Sequence, residues 1–211
     1  MQQTDDNERI TTEEELRALM GFPSELVQRK AITRLDEACR DFIRQSPFAL
    51  LSSSDASGQC DVSPRGDGPG FVHVVDEQHL VIPERPGNKR MDTLRNILSN
   101  PQIGMLFLIP GLGETLRVNG RAYLTKDRQL LSLMAVRQQV PLVGIVVQVD
   151  ECFLHCAKAF RRSRLWEPES WLGPQELPSA AQMLSKHVKM DGMNAEQIQA
   201  RLEDSYRNRL Y

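Results

Sequence analysis

Residues 83–90, Pro83-Glu84-Arg85-Pro86-Gly87-Asn88-Lys89-Arg90, put three cations within six positions where an apolar run gives way to helical spacing. Met91, Leu94 and Leu98 share one side of a helix predicted over 88–99, with Asn100-Pro101 as its stop. The free N–H groups and dipole of a helix start favour an anion, so Asn88, Lys89 and Arg90 suit a phosphate. Cations are otherwise misplaced there, and a bound phosphate would relieve the conflict. The alternative is a solvated basic turn.

Three other clusters carry groups able to do chemistry. In 61–70, Asp61-Val62-Ser63-Pro64-Arg65-Gly66-Asp67-Gly68-Pro69-Gly70, prolines and glycines predict a rigid loop whose backbone admits a planar ligand. Arg65 would offer it a planar fork, or would simply pair with Asp61 or Asp67. In 113–120, Arg117 and Asn119 fall on one side of a strand, facing either a ligand or water. His155 lies close to Cys152 and Cys156, but no second CxxC or His pair completes a zinc set, and packed cysteines are the competing reading. Lys158, Arg161 and Arg162 suit a charged substrate, a partner subunit or water equally well.

The elements that must position these groups divide the chain in three. Thr11, Thr12 and the Glu13-Glu14-Glu15 run predict a capped helix stopped by Gly21-Phe22-Pro23, and 24–45 carries a helical stripe with a possible break near Ala31. Strands are expected over 47–53, 59–63, 71–75, 79–83, 102–109, 115–124 and 143–149. Helices are expected over 126–138 and 152–164, and in the tail over 179–186 and 194–208. The organisation is a helical segment over 1–45 packing on a barrel domain over 46–166, then a helical extension over 167–211. Short turns favour antiparallel connections, giving a mainly β fold with helical flanks.

The 211 residues suffice for one good-sized core. A net charge of -2 gives no global pull toward nucleic acid or acidic lipid, so any basic site is local. Four cysteines are too few for a disulfide framework. The acidic opening lacks an apolar h-region and no run reaches the length of a membrane span, so a cytoplasmic location and no membrane partner are expected. No nucleophile elbow, P-loop or dinucleotide fingerprint is present.

In this order, several segments resemble the pyridoxamine 5′-phosphate oxidase-like family of FMN-binding split β-barrels, and more narrowly a bacterial subgroup of it. They are SPF at 46–48, DVSPRGDGPGFV at 61–72, VIPERPGNKRMDTLRNIL at 81–98, GLGETLRVNGRA at 111–122 and HCAKAFRRSRLW at 155–166. The resemblance implies an antiparallel split barrel and a homodimer with FMN at the interface. It implies that Arg65, Asn88, Lys89 and Arg90 hold the flavin phosphate. Val81, Ile82 and Pro83 would border the ring, partly through backbone groups, with Ser63 and Pro64 near it. Glu114, Thr115 and Arg117 would approach the flavin held mainly by the other subunit. The activity implied is that of an FMN-dependent oxidoreductase acting on a small molecule, with no side chain identified as acid or base and no metal. A non-catalytic protein that stores or senses flavin or haem is the alternative. The chain departs from true pyridoxamine-phosphate oxidases at Gly66-Asp67-Gly68-Pro69-Gly70 and at Arg207-Asn208-Arg209-Leu210-Tyr211. Vitamin B6 is therefore not the expected substrate.

Overall fold

The structure, a computed structural model, describes residues 8–190 and 192–211. The acidic opening at 1–7, with its share of the 1–45 segment, lies outside the described residues. Helix α1 (Glu13–Met20) starts on a capping box between Thr12 and Glu15 and ends at Gly21, whose φ of 73° closes it. The stripe that follows is two helices, α2 (Glu25–Arg29) and α3 (Glu37–Gln45). Between them Ile32 exchanges backbone hydrogen bonds with Cys152. Asp36 caps α3 by accepting the Cys39 N–H at 2.8 Å, and Cys39 and Ile43 face the core. Neither α1 nor α2 buries a residue, so only α3 of the N-terminal segment packs as a core helix.

Seven strands follow: β1 (Phe48–Ser54), β2 (Cys60–Gly66), β3 (His73–Val74), β4 (His79–Pro83), β5 (Gln102–Leu108), β6 (Thr115–Thr125) and β7 (Gly144–His155). They form one antiparallel sheet in the order β2-β1-β5-β6-β7-β4-β3. Alternation selects the core face: Ala49 and Leu51, Ile103 to Phe107 by twos, and Ile145, Val147 and Val149 are all buried. Helix α4 (Asp92–Ser99) adds Leu94 and Ile97 to the same cluster and packs on β1, β2 and β6. On the other face, helix α5 (Arg128–Ser132) and the turn after it cover Val81 and Val146 with Leu131 and Met134. This explains why β4 reads as continuously apolar.

The two ends of the sheet meet. Five strand spacings separate β2 from β4, roughly 24 Å in a flat sheet. Yet Arg65 Nη2 on β2 lies 3.4 Å from Glu84 Oε2 just beyond β4. Arg85 Nε lies 2.8 Å from Asp67 Oδ2 just beyond β2. The sheet therefore curls into a barrel, and side chains rather than a strand ladder span that seam. The barrel is split there.

Three expectations need correcting. β7 continues to His155, so 152–155 is strand; only α6 (Lys158–Ser163) is helical in that segment. Pairing with β6, from Thr115↔His155 onward, outweighs the helical look of the basic run. The helix expected over 126–138 is only α5, because Arg137 and Gln138 have φ of 49° and 64° and turn the chain back. The strand at 71–75 shrinks to the two residues of β3. In the tail, α7 (Ala180–Val188) and α8 (Ala195–Asn208) are capped by Ser179 and Asn194 and pack against each other.

Candidate functional site

A cavity of about 690 Å³ opens beside the seam, within the size range of small-molecule sites. Glu84 and Arg85 contribute from the end of β4, Gly87, Asn88 and Lys89 from the loop after it, and Val140 to Val143 from the segment before β7. Met91, Leu94 and Tyr211 complete its mostly apolar wall.

The basic run does not open the helix. α4 begins at Asp92, four residues later than predicted at Asn88. Asn88 Oδ1 accepts the Arg90 N–H at 3.0 Å, making a local turn. Lys89 and Met91 then adopt left-handed φ of 61° and 58°, which no helix continues through. Asp92 occupies the first turn and pairs with Arg90 Nε at 2.8 Å, so the conflict between cations and dipole is relieved within the chain. Lys89 is different. It is exposed at the cavity rim with no charged or hydrogen-bonding partner among the described residues.

Arg65 sits in strand β2, not in a loop, opposite Ala49. Pro64 is tolerated in the strand because β2 is the sheet edge. Ser63 and Arg65 share the inward side and Pro64 faces out. Ser63 accepts a hydrogen bond from Thr93 Oγ1 at 3.2 Å, tying the start of α4 to β2. Arg65 Nη1 donates to the Pro64 carbonyl at 3.0 Å, Nη2 faces Glu84, and Nε is buried with no partner. Glu84 Oε2 is likewise buried without a hydrogen bond, its 3.4 Å contact with Arg65 being an ion pair only. Burial pushes the Glu84 carboxyl above its ordinary range, and Arg65 offsets this only in part. Asp67 goes the other way: burial raises it, but the Tyr211 hydroxyl, the Gly68 N–H and Arg85 more than compensate, leaving it lowered.

Val81 and Ile82 have fully buried side chains committed to the two cores, and Pro83 is buried too. Only their backbone is available to a ligand. β3 pairs with β4 at Leu80 and Val81, so among the described residues that edge of β4 beyond Val81 has no strand beside it.

Glu114, Thr115 and Arg117 do not line this cavity. Thr115 is buried opposite His155. Arg117 and Asn119 lie side by side as alternation predicted, with Arg117 Nε donating to Asn119 Oδ1 at 3.2 Å. Arg117 and Lys30 both sit over the Phe153 ring, at 5.4 and 4.8 Å from its centre. His155 packs on Phe153 at 5.0 Å; burial lowers its pKa first, and Lys30 and Arg117 lower it further. This is a second cluster, separate within one chain from the cavity. Cys39 and Cys152 are free and buried with their sulfurs 3.1 Å apart. No three His, Cys, Asp or Glu side chains gather as a metal site among the described residues.

Sequence reasoning overlooked Glu84, the 140–143 segment and Tyr211 as wall residues. Glu84 stood inside the basic cluster, and its raised pKa reflects burial that no local pattern reveals. Tyr211 reaches Asp67 across 144 positions of sequence, a contact without a local signal.

Lys89 lines the cavity as an unpartnered ammonium among mostly apolar walls, whereas Arg65, with its unused buried N–H, does not line it and stands beside the wall residue Glu84. Comparison with known proteins agrees on the fold. Residues 35–156, more than half of the chain, match the family described as Pyridoxamine 5′-phosphate oxidase. No curated protein sequence matches. Among solved structures, HupZ of Group A Streptococcus is similar at 19% identity and a TM-score of 0.45, covering 56% of this chain and 92% of its own. A putative pyridoxamine 5′-phosphate oxidase from Lactobacillus delbrueckii matches at 19% identity and a TM-score of 0.45, with 58% and 95% covered. The haem storage protein HutZ from Vibrio cholerae matches at 16% and 0.42, with 58% and 94% covered. Among the described residues no helix is long and apolar enough to cross a membrane.

Proposed function

The chain belongs to the pyridoxamine 5′-phosphate oxidase family, and on that premise we propose that it is a homodimeric, FMN-dependent oxidoreductase acting on a small molecule. One observation carries the proposal: the free ammonium of Lys89 lines an apolar cavity whose wall residue Glu84 pairs with Arg65, a guanidinium with an unused buried N–H. Lys89 and Arg65 would hold the phosphate, with Asn88 and Arg90 beside them and Ser63 and Pro64 on the neighbouring strand. The backbone at Val81, Ile82 and Pro83 would border the ring, with Leu142 and Met91, both exposed, as apolar wall residues. When bound, FMN supplies hydride or electron-pair transfer, and the protein contributes placement and electrostatics. Arg117 and Glu114 lie outside the cavity of their own chain, which fits a role toward the flavin of a second copy, whereas Thr115 is buried within its own chain. Free thiols suit a cytoplasmic setting.

Flavin fluorescence titration tests this. Lys89→Ala and Arg65→Ala should each weaken FMN binding by about 1.5–3 kcal/mol, the range for a hydrogen bond to a charged group. Arg90→Ala should cost less, because Arg90 already pairs with Asp92. Wild-type affinity in both of the first two variants would remove the phosphate assignment. Steady-state reduction by NADH or NADPH then separates an oxidoreductase from a storage protein. Among the described residues the cavity wall contributes no histidine.

A further inference from the structure

Tyr211 lines the cavity, yet in sequence it lies well beyond every segment that forms the family resemblance. Three side chains from three parts of the chain fix its ring. Its hydroxyl donates to Asp67 Oδ1 at 2.7 Å. The Arg137 guanidinium carbon lies 4.9 Å from the ring centre and that of Arg85 lies 5.9 Å away. Arg85 is itself held, donating to Asp67 Oδ2 at 2.8 Å and to the Met134 carbonyl at 2.9 Å.

The backbone adds an independent sign. Val136 and Gln139 exchange both hydrogen bonds across a two-residue turn, and its central residues, Arg137 and Gln138, both have positive φ. That geometry strongly prefers Asn-Gly, and long side chains there are strained. The strained turn is where Arg137 reaches the Tyr211 ring. Strain of this kind tends to accumulate where a side chain must be aimed.

We propose that Tyr211 is a specificity-determining residue of the cavity: a pre-positioned aromatic wall that selects planar heteroaromatic ring systems, whatever phosphate they carry. The inference rests on the flavin reading above and adds a division of labour to it. Lys89 and Arg65 read the phosphate; Tyr211 reads the ring. A ring tethered through its hydroxyl to Asp67 and flanked by Arg85 and Arg137 loses less freedom when a flat ligand packs against it than an untethered one would.

FMN and riboflavin, the same ring with and without phosphate, separate the two halves. For the full-length protein, Tyr211→Ala should weaken FMN and riboflavin alike by about tenfold, as loss of an aromatic stacking platform does. Tyr211→Trp should keep both affinities within about threefold. Lys89→Ala should weaken FMN and leave riboflavin unchanged. The inference falls if Tyr211→Ala binds both ligands as the wild type does, or loses FMN alone. It also falls if Tyr211→Trp is as impaired as Tyr211→Ala, since the role would then be structural. If the wild type binds neither ligand, the flavin reading itself fails and this inference with it.

Discussion

Glu84 stands closest to the proposed phosphate position with the wrong charge. It faces Arg65 at 3.4 Å, and burial raises its pKa although Arg65 partly opposes the shift. An acid whose folded pKa lies above its unfolded one, near 4.3 for glutamate, binds its proton more readily when folded. Stability therefore falls as pH rises from the unfolded value through the folded one. Glu84→Gln removes that loss. The denaturation midpoint of the variant, relative to wild type, should climb with pH from about 4.3 through the raised folded value and then level off. The same change frees Arg65 for an incoming phosphate, so FMN affinity should rise by about 1 kcal/mol, roughly fivefold. A midpoint difference flat in pH, with unaltered FMN affinity, would show that Glu84 does not compete for Arg65. At this scale the sequence revealed what is local. Lys89 and Arg90 were conspicuous as a basic run, whereas the Arg65–Glu84 contact and the Tyr211–Asp67 contact join residues whose nearness only the curled sheet creates.

Among the elements, the β6–β7 pairing depends on one bulge. The register shifts between Asn119 and Gly120, and a Cβ at Gly120 would lie 2.1 Å from the Gln148 carbonyl oxygen. Neither is a flexible side-chain end, so the strands must part. Gly120→Ala should destabilise the fold by about 2–4 kcal/mol in denaturant melts. Gly58 supplies the control: its φ is 86° but nothing lies within 4 Å of a Cβ there, so Gly58→Ala should cost only about 1 kcal/mol. Equal losses in the two variants would deny the bulge its role. Most strands were legible because alternation is a local signal; β6, expected over 115–124, runs Thr115–Thr125. Helices with side-chain caps were legible too, as Ser179 and Asn194 show. What failed were boundaries set by partners or by unusual backbone. β7 runs through Asp150 and Glu151 because β6 pairs with it, and α4 starts late because Lys89 and Met91 are left-handed.

For the molecule as a whole, the seam that closes the barrel also leaves it incomplete. Side-chain pairs rather than a ladder join β2 to β4, and the outer edge of β2 has no neighbouring strand. Helices α1 and α2 bury nothing, and Leu19, Met20, Phe22 and Leu26 are 71%, 77%, 80% and 76% exposed. Tyr123 and Leu154, on the central strands β6 and β7, are also exposed. Apolar surface of this extent ordinarily belongs to an interface, and a second copy would cover it symmetrically while bringing Arg117 and Glu114 to the other subunit's cavity. The species in solution should therefore weigh about 48 kDa, twice the 24.0 kDa chain. If flavin sits between the copies, it binds the dimer better than the monomer, and linkage makes its apparent affinity depend on protein concentration. Sedimentation at falling protein concentration, read at a flavin wavelength, should show dissociation and flavin release together. A 24.0 kDa species that keeps its flavin on dilution would show that one chain builds the whole site, and that the exposed apolar helices serve some other contact.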